Sequence, residues 1–291
     1  MTSDSTAVTG TVAGPTSIPI KDVVKVKHYG RTAFAIFLIL IVVAIAYYGF
    51  AKNPNIDWHV VWEFLFASSI LEGLKTTVEI TLIAMIFSVI GALIVALMRM
   101  SESLIIRLVA AGYIFIFRGI PIILLLIFVG NLGLFVRHVT LGIPFTHVIW
   151  YQRPAATLLT PFVASIIGLT LAGSAYMSEV VRAGLLSVGR GQHEAAKSLG
   201  LTSLQTTRFV VLPSALRVII PPMGNELISM IKASAIVSVI GGGDLLTISQ
   251  RISGANYRTI EMLIVAAFWY FTLIAVLSVG QHFLERRTAE R

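Results

Sequence analysis

Cysteine is absent from the sequence, and charged residues are scarce. Without cysteine the chain cannot form disulfide bonds, thiolate nucleophiles or cysteine-based metal sites. Asp, Glu, Lys and Arg together make up only 12% of the 291 residues, whereas 56% are hydrophobic. Soluble domains carry about 25% charged residues. This composition therefore indicates a membrane protein whose architecture is set by its transmembrane segments.

Two catalytic signatures are also missing. No glycine is followed directly by lysine, so the chain lacks a Walker A loop and cannot bind ATP in that way. His193 and Glu194 match the start of a zinc-protease motif, but Lys197 stands where the second histidine ligand is required. We therefore predict no catalytic residue, no metal site and no cofactor on this chain.

Long apolar runs, in contrast, are abundant, and each is long enough to cross a bilayer as a helix. The third run is interrupted at residues 118–121, where Pro121 removes a backbone donor and kinks or restarts the helix. We predict an all-α membrane protein with about six transmembrane helices. The predicted spans cover residues 32–51, 76–98, 108–136, 156–177, 222–240 and 262–283.

The segments outside these runs are predicted to be irregular or exposed. Residues 1–31 are expected to form a disordered polar tail that ends in basic residues, and residues 137–153 a loop. A basic segment before an apolar run also fits a signal peptide with a cleavage site at residues 44–46. The late start and full length of the run favour a retained first helix.

The distribution of basic residues predicts the orientation in the membrane. Fourteen Lys and Arg residues lie in the tail, between spans two and three, between spans four and five, and at the C-terminus. Only six lie in the opposite loops. Because cytoplasmic segments carry the excess of positive charge, both termini are predicted to be cytoplasmic. Since these charges flank apolar runs and form no single patch, the net charge of +8 does not indicate nucleic-acid binding.

The segment from Gly191 to Pro213 is the most informative part of the sequence. Its first half contains good helix formers, and Gly200 suits the left-handed residue that ends a helix. Thr202 and Gln205 then fit a capping box that starts a second helix, which we expect to end near Leu212 because of Pro213. A helix-turn-helix between two membrane spans protrudes into water and can contact a partner protein.

The motifs of this segment resemble the EAA loop of ABC-importer permeases. That loop has Glu-Ala-Ala, a glycine six residues after the glutamate, and Leu-Pro near the end of the second helix. Further motifs resemble the polar-amino-acid branch of the family, which includes histidine, glutamine and arginine permeases. The matching residues are Glu194-Ala195-Ala196, Gly200, Leu212-Pro213, Arg118-Gly119-Ile120-Pro121, Ala175-Tyr176-Met177-Ser178-Glu179, Ala215-Leu216-Arg217 and Pro221-Pro222-Met223-Gly224-Asn225-Glu226.

The resemblance implies an organisation for the chain. Residues 74–287 correspond to a type I importer permease domain with five core helices, and residues 183–217 contain its coupling loop. Residues 32–73 add an N-terminal helix and an outer loop to that core. The implied location is the cytoplasmic membrane.

The resemblance also implies partners and a coupling site. The partners are a second permease subunit (the same or homologous), two ATPase subunits that hold ATP and Mg²⁺, and an extracytoplasmic amino-acid-binding protein. In the family the EAA helix docks into a cleft of the ATPase. The expected coupling residues are Gln192, Glu194, Ala195, Ala196, Gly200, Leu212 and Pro213.

Polar residues in the predicted membrane spans suggest a substrate pathway. Glu226 shares one helical face with Asn225, Ser229 and Lys232, and a polar face on an apolar helix suits a pore wall. Glu226 has two possible partners, a substrate ammonium group or a neighbouring basic residue such as Lys232 or Arg118. The expected pathway residues are Arg118, Glu226, Ser229, Lys232 and Ser234. Glu179 and Arg182, three apart, are expected to form a structural ion pair.

Three departures from the family pattern leave the identity of the substrate undecided. Leu125, Ala172 and Ala233 replace residues that are often polar in the family. They allow that this subunit is the non-binding half of a heterodimer, or that it takes a less polar solute. The main alternative function is a stand-alone secondary transporter or channel for small polar solutes, which has no need of an EAA loop.

Overall fold

The computed structural model describes residues 29–142 and 149–289, which form two compact units, Met1–Asn55 and Ile56–Arg291. In the first unit, α1 (Tyr29–Ala46) continues into a π turn (Tyr47–Ala51). This 23-residue stretch is apolar and long enough to span a membrane. Most of the predicted tail lies outside the described residues, and the helix begins at its last three.

The second unit contains the remaining helices and one β-hairpin. A π turn (Thr207–Val211) precedes α11, and a 3₁₀ turn (Ala235–Ile240) follows it. In chain order the elements are α2 (Trp58–Leu65), α3 (Ser68–Arg99), α4 (Leu104–Gly119), α5 (Ile122–Gly130), α6 (Leu132–Phe135), β1 (His138–Gly142), β2 (Ile149–Pro154), α7 (Ala155–Leu158), α8 (Pro161–Leu186), α9 (Arg190–Ser198), α10 (Ser203–Thr206), α11 (Leu212–Ser234), α12 (Leu245–Asn256) and α13 (Thr259–Ala289).

The membrane spans agree in number with the prediction. Five helical stretches are long and apolar enough to cross a membrane, and the pair α4 and α5 makes a sixth if it is counted as one span. These two helices meet at an angle of 102°, which confirms the predicted interruption. Ile120 has an extended backbone there, and Pro121 stands immediately before α5.

Two predicted segment boundaries are wrong around α8. Residues 137–153 do not form a plain loop, because β1 and β2 pair antiparallel between His138 and Pro154. Helix α8 begins five residues later than predicted and continues to Leu186, so that Glu179 and Arg182 lie in its last turns. The small residues of α8 pack along its whole length, and this packing extends the helix beyond the apolar run.

The expected helix end at Leu212 is also wrong. A helical stretch runs from Ser203 to Ile240 and includes the predicted fifth span as its second half. The π turn closes with a bond from the Leu212 amide to the Thr207 carbonyl, and Pro213 then lies in the first turn of α11. Proline is tolerated in that position because no donor is needed there.

Helix α8 packs most extensively against α3, and also contacts α5 and α11. Small residues allow these close approaches, as is usual between membrane helices. A Cβ atom added to Gly173 would lie 2.6 Å from Ser88 Oγ and 2.7 Å from Met230 Cε. One added to Gly184 would collide with Ile219 of α11. The main apolar core is formed at these contacts.

A second core joins α2, α12, α13 and the start of α3. At its edge the fully buried Asp244 caps α12, accepting hydrogen bonds from the Leu246 amide (3.1 Å), the Thr247 hydroxyl and Tyr270 Oη (3.4 Å). Burial raises the pKa of this carboxyl, and the bonds from Thr247 and Leu246 oppose that rise. Gly241 ends the 3₁₀ turn in a left-handed conformation, which glycine adopts readily.

Candidate functional site: a charged cavity and an exposed helix

A cavity of about 470 Å³ lies where the break between α4 and α5 faces α8 and α11. The break brings polar backbone to membrane depth, which is tolerated where the backbone lines a cavity. The lining residues are Phe117, Arg118, Gly119, Ile120, Pro121, Ile122, Leu169, Ala172, Gly173, Tyr176, Glu226, Ser229, Met230 and Ala233.

Arg118 enters the cavity because α4 ends beside it. Its guanidinium carbon lies 5.0 Å from the centre of the Tyr176 ring, in a cation–π contact. The Tyr176 hydroxyl in turn donates a long hydrogen bond of 3.5 Å to the Arg118 carbonyl. The ring thus contacts both the side chain and the backbone of Arg118 and fixes the cation at the cavity wall.

Glu226 supplies the opposite charge from α11. It is half-buried and interacts electrostatically with Arg118, although no ion pair joins these two described residues. Ser229 lies one turn further along the same helix and donates to the Asn225 carbonyl at 3.0 Å. The cavity therefore presents one cation, one anion and two hydroxyl groups within a mostly apolar wall.

The predicted pathway residues do not all lie together. Arg118, Glu226 and Ser229 line the cavity, but Lys232 is exposed and is not part of its wall. Ser234 is fully buried and donates to the Ile231 carbonyl at 2.6 Å. Only part of the polar face proposed for α11 therefore lines the cavity, and the other polar residues are exposed or buried elsewhere.

The prediction missed the contribution of α8 to this cavity. Tyr176 was noted only as part of a family motif, yet it lies one turn from Ala172 on the helix face that lines the cavity. Ala172 and Ala233 also line the wall, whereas Leu125 is buried in the adjoining apolar cluster. Two of the three departures from the family pattern thus make the cavity itself less polar.

The second candidate site is α9 and the turn that follows it. The Leu201 amide donates to the Ala196 carbonyl at 3.1 Å, and the Gly200 amide donates to the Lys197 carbonyl at 3.0 Å. This pair of bonds is a Schellman motif, and Gly200 has φ +73°, which confirms the predicted left-handed helix end. The predicted capping box between Thr202 and Gln205 is confirmed as well.

Helix α9 exposes almost its whole surface. Ala196 is its one buried residue, while Gln192, Glu194 and Ala195 are exposed. Two leucines that the prediction overlooked flank it: Leu199 is 80% exposed and Leu204 is 78% exposed. Leu212 and Pro213 are also exposed but lie beyond the π turn, at the start of α11.

The ion pair expected at the end of α8 is formed. Arg182 donates to Glu179 Oε2 through Nη2 at 2.6 Å and through Nε at 2.9 Å. Both side chains are about one third exposed, at 35% and 28%, which limits the energy of the interaction.

A family assignment follows from comparison with known proteins. Residues 88–290 match the family described as the inner membrane component of binding-protein-dependent transport systems. The chain belongs to this family. The matched segment contains both the charged cavity and α9.

Two relatives are named as permease proteins of transport systems. An arginine transport system permease protein of Corynebacterium glutamicum is 37% identical over 264 residues, which cover 89% of this chain and 80% of that protein. An L-cystine transport system permease protein of Bacillus subtilis is 36% identical over 217 residues, covering 74% of this chain and 84% of that protein. The likeness therefore extends over most of each chain.

Solved structures agree with this assignment. The crystal structure of an amino acid ABC transporter with histidines matches with a TM-score of 0.62 and 36% identity, covering 75% of this chain and 94% of that chain. An inward-facing methionine ABC transporter matches with a TM-score of 0.58 at 21% identity, over 75% of this chain and 95% of that chain. The second likeness supports the fold alone.

These findings establish a multi-pass permease subunit of an ABC importer with the type I fold. They favour this assignment over the stand-alone transporter or channel. Members of the family are transporter subunits, and the family implies a complex with ATPase partners.

Proposed function

We propose that this permease subunit translocates a polar amino acid across the cytoplasmic membrane, driven by a separate ATPase. The observation that carries the proposal is the pair of opposite charges in one cavity, Arg118 on the α4 side and Glu226 on α11. A free amino acid carries one positive and one negative charge at neutral pH. A cavity with one charge of each sign offers a partner for both.

Each cavity residue has a role in this proposal. Glu226 receives the substrate ammonium group, and Arg118 receives the carboxylate, which its planar guanidinium binds through two hydrogen bonds. Ser229 and Tyr176 provide hydroxyl groups for polar atoms of the side chain. Relatives with names that refer to arginine and L-cystine support an amino acid as the solute.

In this proposal α9 is the contact with the ATPase. Gln192, Glu194 and Ala195 face outward, and the small alanine lets a partner approach the helix backbone closely. ATP and Mg²⁺ bind to the partner, and closure of the ATPase dimer displaces α9. The helical stretch Ser203–Ile240 connects this region to the cavity, because it begins directly after the capping residue Thr202 and contains Glu226.

The complete assembly that we propose contains two permease subunits, identical or homologous, two ATPase subunits and an extracytoplasmic binding protein. Both termini and α9 face the cytoplasm, an orientation supported by the excess of basic residues in those segments. Reporter fusions after Gly191 and Arg287 are expected to give cytoplasmic signals, and fusions after Pro54 and Ser253 external ones. An external signal after Gly191 would contradict the orientation.

The substitution Glu226→Gln tests the substrate role. If the carboxylate binds the substrate ammonium, uptake of labelled arginine by proteoliposomes falls about ten- to a hundred-fold, the equivalent of losing about 1.5–3 kcal/mol from a charged hydrogen bond. Membrane abundance and substrate-free ATPase activity stay unchanged. The matched control is Lys232→Gln, a charge removal on the same helix outside the cavity, which is expected to leave uptake near the wild-type rate.

The alternative partner of Glu226 gives a different result. If its main role is to neutralise Arg118, its removal leaves this exposed cation without a counter-charge at membrane depth, which costs about 2.5–3.5 kcal/mol. The variant protein would then be lost from the membrane. Wild-type uptake of arginine, glutamine and cystine by an abundant Glu226→Gln variant would refute both roles.

A further inference from the structure

The β-hairpin between α6 and α7 is exposed on both faces. Every residue of β2 is exposed, including Ile149 at 52% and Trp150 at 71%. The pairing of Leu141 with Tyr151 and of Gly142 with Ile149 makes Trp150 the extra residue of a β-bulge. Neither face of β2 is covered by the described residues of the chain.

The base of the hairpin, in contrast, is firmly attached. The Ala155 amide donates to the Arg137 carbonyl at 3.0 Å, and Ala155 itself is fully buried. Backbone atoms of Ala156 lie close to Gly133 of α6, where an added Cβ would be 3.3 Å away. A bare two-stranded hairpin is only marginally stable in water. Here its position is fixed from the base, so the strands are held out as a defined surface.

The composition of the hairpin is basic and aromatic. Residues 137–154 contain Arg137 and Arg153 but no Asp or Glu. Trp150 and Tyr151 stand three and two residues before Arg153 in β2. Tryptophan, tyrosine and arginine are the residue types that contribute most to binding at protein interfaces. A basic surface without acids is complementary to an acidic surface on a partner.

The position of the hairpin in the chain excludes the ATPase as that partner. Helix α8 is a membrane span and separates the hairpin from α9. Hairpin and α9 therefore lie on opposite sides of the membrane. The family description refers to a binding protein. In the proposed function this protein is extracytoplasmic, so it meets the permease on the side of the membrane that carries the hairpin.

We propose that the hairpin is a docking element for the solute-binding protein, with Trp150 as its apolar anchor and Arg153 directed at an acidic patch of that protein. This inference rests on the proposed function, because it assumes that α9 meets the ATPase. Docking brings the binding protein to a fixed place above the span α8, which lines the substrate cavity through Ala172 and Tyr176.

The test uses the permease–ATPase complex reconstituted in proteoliposomes with its solute-binding protein. The measured quantity is ATPase activity as the binding-protein concentration rises. In Trp150→Ala and Arg153→Glu, the concentration for half-maximal stimulation is expected to rise about tenfold or more. Basal ATPase activity is expected to remain at the wild-type value, which shows that the variants are folded and assembled.

The control is Trp62→Ala, because Trp62 is a tryptophan of similar exposure, at 68%, in α2 outside the hairpin. It is expected to keep wild-type stimulation. Unchanged half-maximal concentrations in both hairpin variants would overturn the docking role. Quenching of Trp150 fluorescence by brominated lipid, measured against Trp150→Phe, would also overturn it by placing the hairpin on the membrane surface. A wild-type complex without any stimulation would instead refute the proposed function.

Discussion

Helices α8 and α9 are neighbours in the chain, yet they use small residues in opposite ways. In α8 the small residues Gly173, Ser174 and Gly184 are buried and allow other helices to approach. In α9 Ala195 is exposed, and Ala196 alone is buried. A small residue therefore serves packing within the chain in α8, and in the proposed function it gives a second protein access to α9.

This difference predicts which property a substitution changes. Enlarging a side chain in α8 acts on folding, and the loss appears as reduced membrane abundance. Enlarging an exposed side chain in α9 leaves the chain folded and acts on assembly with the ATPase. The following substitutions separate these effects, in order of decreasing size.

The largest effect is expected for Gly184→Leu. The added side chain collides with Ile219 of α11, and overpacking of this kind costs about 1–3 kcal/mol or more. We expect the variant to be depleted from the membrane in immunoblots. The control is Gly189→Leu, because a Cβ at Gly189 meets no atom within 4 Å. Equal abundance of the two variants would contradict the close packing of α8 and α11.

Adjacent alanines in α9 give the sharpest comparison. Ala195→Phe is expected to leave membrane abundance intact but to prevent co-purification of the ATPase, because the new ring occupies the proposed contact surface. Ala196→Phe is expected to lower the free energy of unfolding by about 1–3 kcal/mol, because Ala196 is only 3% exposed and a larger side chain would overpack its site. Normal ATPase co-purification with Ala195→Phe would mean that α9 is not the contact.

A smaller effect is expected at the end of α9. Gly200→Ala places a Cβ in the left-handed region, which costs about 1–2 kcal/mol. No atom obstructs the new side chain, so the backbone strain acts alone. Substrate-stimulated ATPase activity should fall, and Gly200→Asn should retain more of it because asparagine tolerates this conformation. Equal losses in the two variants would argue against a conformational cause.

The smallest effect is expected for Arg182→Gln in α8. It breaks the ion pair with Glu179, but partly exposed pairs of this kind contribute only about 0–1 kcal/mol. Abundance and uptake should both stay close to the wild-type values. A large loss of uptake with normal abundance would assign Arg182 to transport, and the end of α8 would then resemble α9 in its role.

Local motifs were predictable from the sequence, and long-range packing was not. The left-handed Gly200 and the capping box of Thr202 depend on a few neighbouring residues, so their residue types are sufficient. The continuation of the helix through Pro213 depends on a π turn, which no residue type signals. The length of α8 depends on contacts with α3 and α11, which are distant in sequence.

The candidate cavity was predictable in part for the same reason. Arg118, Glu226 and Ser229 stood out as polar residues in apolar surroundings, and all three line the cavity. Ser234 stood out equally but is buried, and the Ile231 carbonyl of its own helix satisfies its hydroxyl there. The position of a polar residue on a helix is local information. Whether that face meets a cavity or a neighbouring helix depends on the angle between α4 and α5.

The π turn at Thr207–Val211 also affects the direction in which the later side chains of this helical stretch point. An α-helix turns by about 100° per residue, so each residue between α9 and the cavity fixes the direction in which Glu226 points. A π turn bonds residues five apart instead of four and so changes that phase locally. A single-residue insertion or deletion between Ser203 and Glu226 would turn the carboxylate away from the cavity, while every cavity-lining side chain remained present. The length of this segment is therefore as much a part of the site as its residues are.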